Sequence, residues 1–282
     1  MKILFLGTGA AEGAPAMYCE CDTCKQLRKR GETEYHTRSQ VVIDEKIGID
    51  FPPDAYYRSL RFGVHLSRIE HLLVTHSHMD HFYAHDFILR GYKYTQSVLP
   101  ELHIYGNEEV GEVYRECTRR ELRPEIAEKI HVHCIQPFQP FSFDGYTATA
   151  LLAQHSVRER AYVYLLEKDG KTYLHLTDTG RLPQETLNYL AEQFSKRTKK
   201  VDLVVFDCTF LFRTAGEVSR HMGLEDNMAM KRQFQELGIV NEHTVYAITH
   251  YSHNGNPIRE TLEKAEREYG VVATFDGTLM EI

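Results

Sequence analysis

Short apolar runs alternate along the chain with longer amphipathic segments, and this alternation predicts a mixed α/β architecture. The apolar runs predict buried strands at residues 3–7, 40–43, 47–50, 69–74, 102–106, 131–135, 146–152, 161–166, 172–176, 201–206, 243–248 and 271–275. Segments with Pro or Gly at their ends predict helices at residues 25–30, 53–62, 82–94, 108–128 (interrupted by a proline), 183–194, 224–237 and 257–268. Strands and helices alternate in both halves without a low-complexity segment. We therefore expect a single domain over residues 1–282.

The composition is that of an ordinary globular protein. Hydrophobic residues make up 42% and charged residues 26% of the 282 positions, which is enough for a sizeable core. The formal net charge of -7 disfavours a long nucleic acid as partner, since such a partner requires a basic face. No apolar run approaches the length of a membrane span, and the first strand reaches Gly7 too early for a signal peptide. These features predict a cytoplasmic protein that does not contact a membrane.

Histidines and an aspartate crowd the stretch Thr75–His81, between a predicted strand and a predicted helix. Alternate residues of an extended loop point the same way, so His76 and His78 can reach one metal ion together. Asp80 and His81 follow as the chain turns and can reach a second point nearby. Imidazole and carboxylate ligands suit zinc, manganese or iron. The alternative, a solvated histidine-rich loop, is disfavoured because strand and helix flank the motif where a ligand loop needs them.

Further acidic and imidazole side chains directly follow predicted strands: Asp50, His155, Asp178, Asp207 and His250. In open α/β sheets, functional sites form outside the carboxyl ends of the strands. Two roles stay open for Asp50, a contact to a metal ligand or a place in a turn. Asp207 either orients a ligand histidine or caps a loop.

Three cysteines lie close together in the sequence, at Cys19, Cys21 and Cys24. In a reducing compartment this C-x-C-x-x-C spacing favours metal over disulfides. Three thiolates can hold one tetrahedral zinc and leave one ligand position to fill. His253 follows His250 by three residues, and we predict that it completes a structural zinc site. Three free thiols, and a contact of His253 with substrate, are the alternatives.

The His-x-His-x-Asp-His spacing resembles the signature of the metallo-β-lactamase superfamily of metal-dependent hydrolases, and the similarity extends along most of the chain. The resemblance implies a four-layer αββα sandwich of α+β or α/β class. It also implies two divalent ions, zinc or manganese, and a hydroxide between them as nucleophile. The implied ligands are His76, His78 and His155 for the first ion, Asp80, His81 and His250 for the second, and Asp178 as a bridge.

Several features resemble the phosphodiesterase branch, which includes the cyclic-phosphate phosphodiesterase of the carbon–phosphorus lyase pathway. They are the cysteine triplet, the Ser219–His221 stretch and the pair of His250 and His253. His78 disfavours flavin-dependent diiron oxidoreductases, which usually have Glu there. Asp178 disfavours antibiotic-hydrolysing lactamases, which usually use Cys at the corresponding position.

The expected function is therefore hydrolysis of a small or cyclic phosphodiester. The resemblance implies Asp80 and His221 as catalytic residues, with His221 protonating the leaving group; the alternative for His221 is a helix cap. A thioesterase similar to glyoxalase II, an RNA-processing nuclease and a metal-binding module without turnover remain as alternatives. The long arm of transfer RNA 3′-processing enzymes is not found in the sequence. The sequence leaves open whether the protein forms a homodimer.

Overall fold

The computed structural model describes residues 1–216 and 218–282. Its strands, in chain order, are β1 (Lys2–Gly7), β2 (Gln40–Ile43), β3 (Ile47–Ile49), β4 (His71–Leu73), β5 (Leu102–Gly106), β6 (Ile130–Cys134), β7 (Phe141–Phe143), β8 (Tyr146–Leu152), β9 (Tyr162–Lys168), β10 (Lys171–Leu176), β11 (Leu203–Asp207), β12 (Val245–Thr249), β13 (Val272–Ala273) and β14 (Thr278–Glu281). Its α-helices are α1 (Asp22–Arg30), α2 (Ala55–Phe62), α3 (Glu108–Thr118), α4 (Pro124–Ala127), α5 (Gln184–Phe194), α6 (Leu224–Glu236) and α7 (Arg259–Tyr269).

The strands form two seven-stranded sheets, in the orders β14-β1-β2-β3-β4-β5-β6 and β13-β12-β11-β10-β9-β8-β7. A buried apolar core joins the inner faces of the sheets, with Phe5 and Ile49 from one and Tyr164 and Val205 from the other. A second core packs α5, α6 and α7 on the second sheet, and a third covers the outer face of the first sheet. This arrangement is the predicted four-layer αββα sandwich, and the fold prediction is confirmed.

Parallel strands bring the functional ends of both sheets to one edge of the sandwich. Strands β3 to β6 run parallel in the first sheet, and β10 to β13 run parallel in the second. Strand β8 has the same direction as β10, because both pair antiparallel with β9. The residues after β3, β4, β8, β10, β11 and β12 therefore lie at comparable heights, where their side chains can converge.

Several predicted elements need correction. The helix expected at residues 82–94 is a short 3-10 helix, Ala84–Leu89. The chain before it is held extended, because the Phe51 N–H donates to the His81 carbonyl and the Phe51 carbonyl accepts from the Tyr83 N–H, both at 2.7 Å. The helix expected at residues 108–128 divides into α3 and α4, as its proline suggested. The edge strand β7 and the closing strand β14 were not predicted. Within the described ranges, every helix is too short or too polar to cross a bilayer.

Candidate metal centre

The first ligand group joins the loops after β4 and β8. His76 Nε2 lies 2.8 Å from His78 Nδ1, and His155 Nε2 lies 3.4 Å from the same atom. Three imidazole nitrogens thus lie close enough together to hold one metal ion. Asp178 borders this group, with Oδ2 at 3.4 Å from His76 Nε2 and Oδ1 at 3.0 Å from His155 Nδ1.

The second ligand group shares Asp178 with the first. His81 Nε2 lies 3.2 Å from Asp80 Oδ2 and 3.0 Å from Asp178 Oδ2. His250 Nε2 is 3.8 Å from the same Asp178 oxygen. The four side chains are buried, and their candidate ligand atoms all lie within 4.8 Å of one another. The carboxylate of Asp178 is therefore placed between two clusters of ligand atoms.

Unpartnered buried atoms at this centre fit metal binding. His81 Nε2, His155 Nδ1, His250 Nε2 and Asp178 Oδ1 are buried. They lie close to one another, but none of them makes a well-oriented hydrogen bond with the described residues. Leaving a buried polar atom without a partner costs roughly 1–3 kcal/mol. Four such atoms aimed at one region are best explained as ligands of cations, which supply the missing interaction. The donor set of imidazoles and carboxylates suits zinc or manganese.

The backbone is unusual where these ligands leave their strands. Asp50, Asp178 and His250 have φ of +63°, +59° and +66°, in the left-handed region. Asp, Asn and His are the non-glycine types that enter this region most readily, and such backbone concentrates at functional sites. Each of these residues lies just after the end of a strand. Asp178 and His250 belong to the ligand groups, and Asp50 contacts His81.

Buried hydrogen bonds orient the ligand histidines. His81 donates from Nδ1 to Asp50 Oδ2 at 2.6 Å, which leaves Nε2 for a metal. The Thr75 hydroxyl and backbone N–H both donate to Asp50, at 2.8–3.0 Å. Asp50 thus makes the contact left open by the sequence, a direct bond to a candidate ligand histidine. His250 Nδ1 in turn lies 2.9 Å from Thr209 Oγ1 and 3.3 Å from Asp207 Oδ2.

His221 lies beside the second group, where its ring stacks against His250 with centroids 5.5 Å apart. Its Nδ1 is 3.1 Å from Asp207 Oδ2 and 3.0 Å from Asp178 Oδ1. Nε2 has no hydrogen-bond partner among the described residues, and the side chain is 26% exposed. The sequence indicated that Asp207 could orient a ligand histidine; the structure places it against both His250 and His221. Thr75 and Thr209 were missed, because a threonine beside a motif carries no distinctive pattern.

The electrostatics of the centre favour bound cations. Although burial raises the pKa of Asp178, the surrounding imidazoles, His250 foremost, hold it well below its usual range. Burial holds the pKa of His76 well below its usual range, so this imidazole is neutral and able to coordinate. Burial also lowers the pKa of His221, but the carboxylates of Asp207 and Asp178 outweigh it and raise that pKa to about 11.

The cysteine triplet and the histidine predicted with it also come together. Ligand atoms of Cys19, Cys21, Cys24 and His253 all lie within 4.8 Å of one another, and Cys21 Sγ is 3.4 Å from His253 Nδ1. Hydrogen bonds from the Cys24 backbone and from His253 lower the pKa of Cys21 to about 6. A thiol with this pKa is largely a thiolate at neutral pH, the form that binds zinc. Four ligands in this arrangement fit a closed tetrahedral site.

The chain belongs to the family described as the beta-lactamase superfamily domain, whose sequence profile matches residues 49–251. This match covers more than half of the chain and includes both candidate ligand groups. The superfamily predicted from the His76–His81 spacing is therefore confirmed.

Known proteins with similar sequences cover the chain only in part. A ribonuclease Z from Listeria innocua is 28% identical over 178 residues, which are 62% of this chain and 52% of that protein. The chain thus spans about half the length of this curated relative, and it spans 16% of a second one.

Solved structures match over the whole length. A diphosphatase from the PhnP family has a TM-score of 0.71 and 20% identity, covering 100% of this chain and 97% of that one. Zinc-bound PqqB from Methylobacterium extorquens has a TM-score of 0.75 and 15% identity, with 100% of both chains covered. At these identities the likeness establishes the shared fold.

Proposed function

We propose that this protein is a dinuclear metal-dependent phosphodiesterase that cleaves a small or cyclic phosphodiester. The observation that carries the proposal is the pair of ligand groups sharing Asp178, with the Asp207–His221 pair beside them. In this proposal His76, His78 and His155 hold one ion, Asp80, His81 and His250 hold the other, and Asp178 bridges them. Two bound divalent ions would activate water as a nucleophile and neutralise charge on the phosphoryl oxygens.

The side chains of the protein divide the remaining work. Asp50 and Asp207 fix the orientation of His81 and His250, so that the imidazole nitrogens face the centre and not the solvent. His221 donates from Nδ1 to Asp207, and its Nε2 carries the proton that a departing alkoxide needs. The carboxylate of Asp207 favours the charged form of the His221 imidazole, which is the form that can donate a proton to the leaving group.

A phosphodiester explains this arrangement better than a thioester. A thiolate leaves without help because its conjugate acid is moderately acidic, whereas an alkoxide leaves poorly unless it is protonated. An acid paired with a carboxylate beside the metals would give little advantage to a thioesterase. The experiment is a substrate panel of cyclic and linear phosphodiesters and a thioester, with metal content measured on the same sample. Turnover of the thioester alone would overturn the proposal.

An RNA-processing nuclease is the second candidate, and the sequence match to ribonuclease Z favours it. The formal net charge of -7 weighs against a long polyanionic substrate, whose binding relies on many Lys and Arg contacts. A precursor transfer RNA therefore belongs in the panel. Cleavage of that RNA at a higher kcat/KM than the small diesters would favour the nuclease.

A prediction for His221 tests the acid role directly. His221→Ala should keep both active-site ions and the fold, and should lower turnover of an alkyl diester by about 10²–10⁴-fold. The loss should be much smaller on a nitrophenyl diester, whose leaving group needs no proton. Equal losses on both substrates would instead assign His221 to phosphate binding. Unchanged turnover on both would exclude a catalytic role.

We further propose that Cys19, Cys21, Cys24 and His253 hold a structural zinc that is separate from the active-site ions. Closed zinc sites of this kind contribute on the order of 10–16 kcal/mol of binding free energy in small zinc domains. Cys21→Ser should lower the zinc content by one ion per chain and reduce the melting temperature, while the active-site ions remain. The control is Cys134→Ser, at an exposed cysteine outside this cluster. It should change neither the zinc content nor the melting temperature. An unchanged zinc count in Cys21→Ser would exclude the site.

A further inference from the structure

Glu159 joins loops that carry ligands of the first group. Its carboxylate accepts hydrogen bonds from the Ser77 backbone N–H at 3.0 and 3.2 Å and from the Ser77 hydroxyl at 2.8 Å. It also accepts one from Asn107 Nδ2 at 2.7 Å. A carboxylate offers about four lone-pair sites, so these three donors use most of its acceptor capacity.

The position of Ser77 explains why this contact matters. Ser77 lies between His76 and His78, and alternate residues of an extended segment point to opposite sides. The two histidines face the metal position, and Ser77 faces Glu159. Glu159 itself is on the loop between β8 and β9, four residues after His155. One carboxylate therefore connects the segment with two ligands to the segment with the third.

Asn107 connects the same carboxylate to the body of the fold. Its Oδ1 accepts from the Val110 N–H and caps α3, while its Nδ2 donates to Glu159 and to the Arg160 carbonyl at 2.9 Å. Asn107 is buried, and its amide is thus fully used. The neighbouring Arg160 points elsewhere, into an ion pair with Glu108 at 2.8 Å.

The second ligand group is supported in a different way. There, His81 and His250 each contact a buried carboxylate directly, Asp50 at 2.6 Å and Asp207 at 3.3 Å. In the first group, Nδ1 of His76 lies 3.0 Å from the Thr75 hydroxyl and has no carboxylate partner among the described residues. The first group therefore depends on the backbone of its loops. Glu159 helps to fix that backbone, together with bonds such as that from the Tyr162 N–H to the Thr75 carbonyl at 2.8 Å and that from the His81 N–H to the His78 carbonyl at 2.9 Å.

We propose that Glu159 is a positioning residue that sets the affinity of the first metal position, formed by His76, His78 and His155, and leaves the second position unaffected. This inference rests on the proposed dinuclear function. Second-sphere partners of metal ligands typically change metal affinity by about 10–100-fold. Glu159 acts one step further out, on the loop that bears the ligands, and it touches neither metal nor substrate.

The test compares Glu159→Ala and Glu159→Gln in the metal-loaded enzyme. Chelator competition should show that Glu159→Ala lowers the affinity for one active-site ion by about 10-fold or more, while the affinity for the second ion is unchanged. Glu159→Gln should lie between wild type and Glu159→Ala, because its amide retains one acceptor oxygen but opposes the Asn107 donor with an NH2 group. In cobalt-loaded protein, the visible absorption of one ion should change and that of the other persist.

Two variants make the result specific. Glu101→Gln removes an exposed carboxylate that pairs with His131 at 3.0 Å, and it should match wild type in metal affinity. Ser77→Ala should have a smaller effect than Glu159→Ala, because the Ser77 backbone N–H still donates. Equal weakening of both ions, or a lower melting temperature with unchanged metal affinity, would overturn the positioning role. Wild-type protein that holds fewer than two active-site ions would instead contradict the proposed function itself.

Discussion

At the scale of single residues, Asp178 is the side chain on which both ligand groups depend. Oδ1 lies 3.0 Å from both His155 Nδ1 and His221 Nδ1, and Oδ2 lies 3.0 Å from His81 Nε2. Three imidazoles contact this buried carboxylate. They favour its ionised form, because only the ionised form attracts them. In the proposed dinuclear site, removal of Asp178 should affect both metal positions, whereas removal of any one histidine should affect a single position.

Asp178→Ala should lower the metal content to well below two active-site ions per chain and abolish most of the activity. The expected loss follows from the missing bridge, since each position loses a ligand and the repulsion between the two cations is no longer offset. Metal analysis and turnover on the same preparation check the prediction. Asp169→Ala is the matched control, because Asp169 also has a left-handed φ of +50° but lies exposed in the β9–β10 turn. Two retained ions with full turnover would contradict the bridging role.

At the scale of elements, the ends of the predicted strands pointed to most of the candidate ligand residues. His155, Asp178 and His250 could be found because each follows a clear apolar run, at the strand ends where parallel sheets place their sites. Residues whose role depends on contacts with distant parts of the chain could not be predicted from the sequence. Glu159 lies between two arginines in an exposed loop, a pattern typical of a solvated surface. The 3-10 helix after His81 is set by backbone pairing with Phe51, which overrides the local helical pattern.

The close packing of two loops gives an element-scale prediction at Gly180. A Cβ added here would lie 1.8 Å from the Ser219 carbonyl oxygen, so the loop that carries His221 would have to move. Gly180→Ala should therefore lower turnover and destabilise the protein by roughly 1–3 kcal/mol, the usual cost of overpacking. Gly180 also lies two residues after Asp178, and its N–H donates to the Gln154 carbonyl at 2.9 Å, so the metal content should be measured on the same sample.

The comparison for Gly180→Ala is Gly111→Ala. Gly111 lies within α3, and an added Cβ would meet its neighbours at ordinary distances of 3.7 Å or more. That substitution should leave turnover unchanged and stabilise the helix by roughly 0.5–1 kcal/mol. Thermal unfolding and steady-state kinetics distinguish the two outcomes. If both variants behaved alike, the loop contact at Ser219 would not constrain the site.

At the scale of the whole molecule, the two ends of the chain close the first sheet together. Strand β14 pairs antiparallel with β1, and the amino group of Met1 donates to the Ile282 carbonyl at 3.0 Å. The sequence did not predict this closure, because β14 is a short edge strand whose partner lies at the other end of the chain. Near it, His36 is buried, with Nδ1 2.7 Å from Thr8 Oγ1 and Nε2 donating to the Pro257 carbonyl at 2.9 Å.

This buried imidazole predicts how the stability of the whole molecule depends on pH. Burial lowers the pKa of His36 from 6.5 to about 4. The unfolded chain therefore takes up a proton near pH 6.5, whereas the folded chain does so only near pH 4. Stability from this group is complete above pH 6.5 and is lost as the pH falls from 6.5 to 4. The difference of pKa corresponds to about 3 kcal/mol.

The experiment measures the free energy of unfolding of wild type and His36→Gln across this pH range. The variant loses hydrogen bonds and should be less stable at pH 7.5, but it has no imidazole to protonate. The gap between the two proteins should therefore narrow by about 3 kcal/mol on going from pH 7.5 to pH 4. Metal release in acid affects both proteins alike and cancels in the difference. A gap that stays constant with pH would show that His36 titrates equally in the folded and unfolded chains.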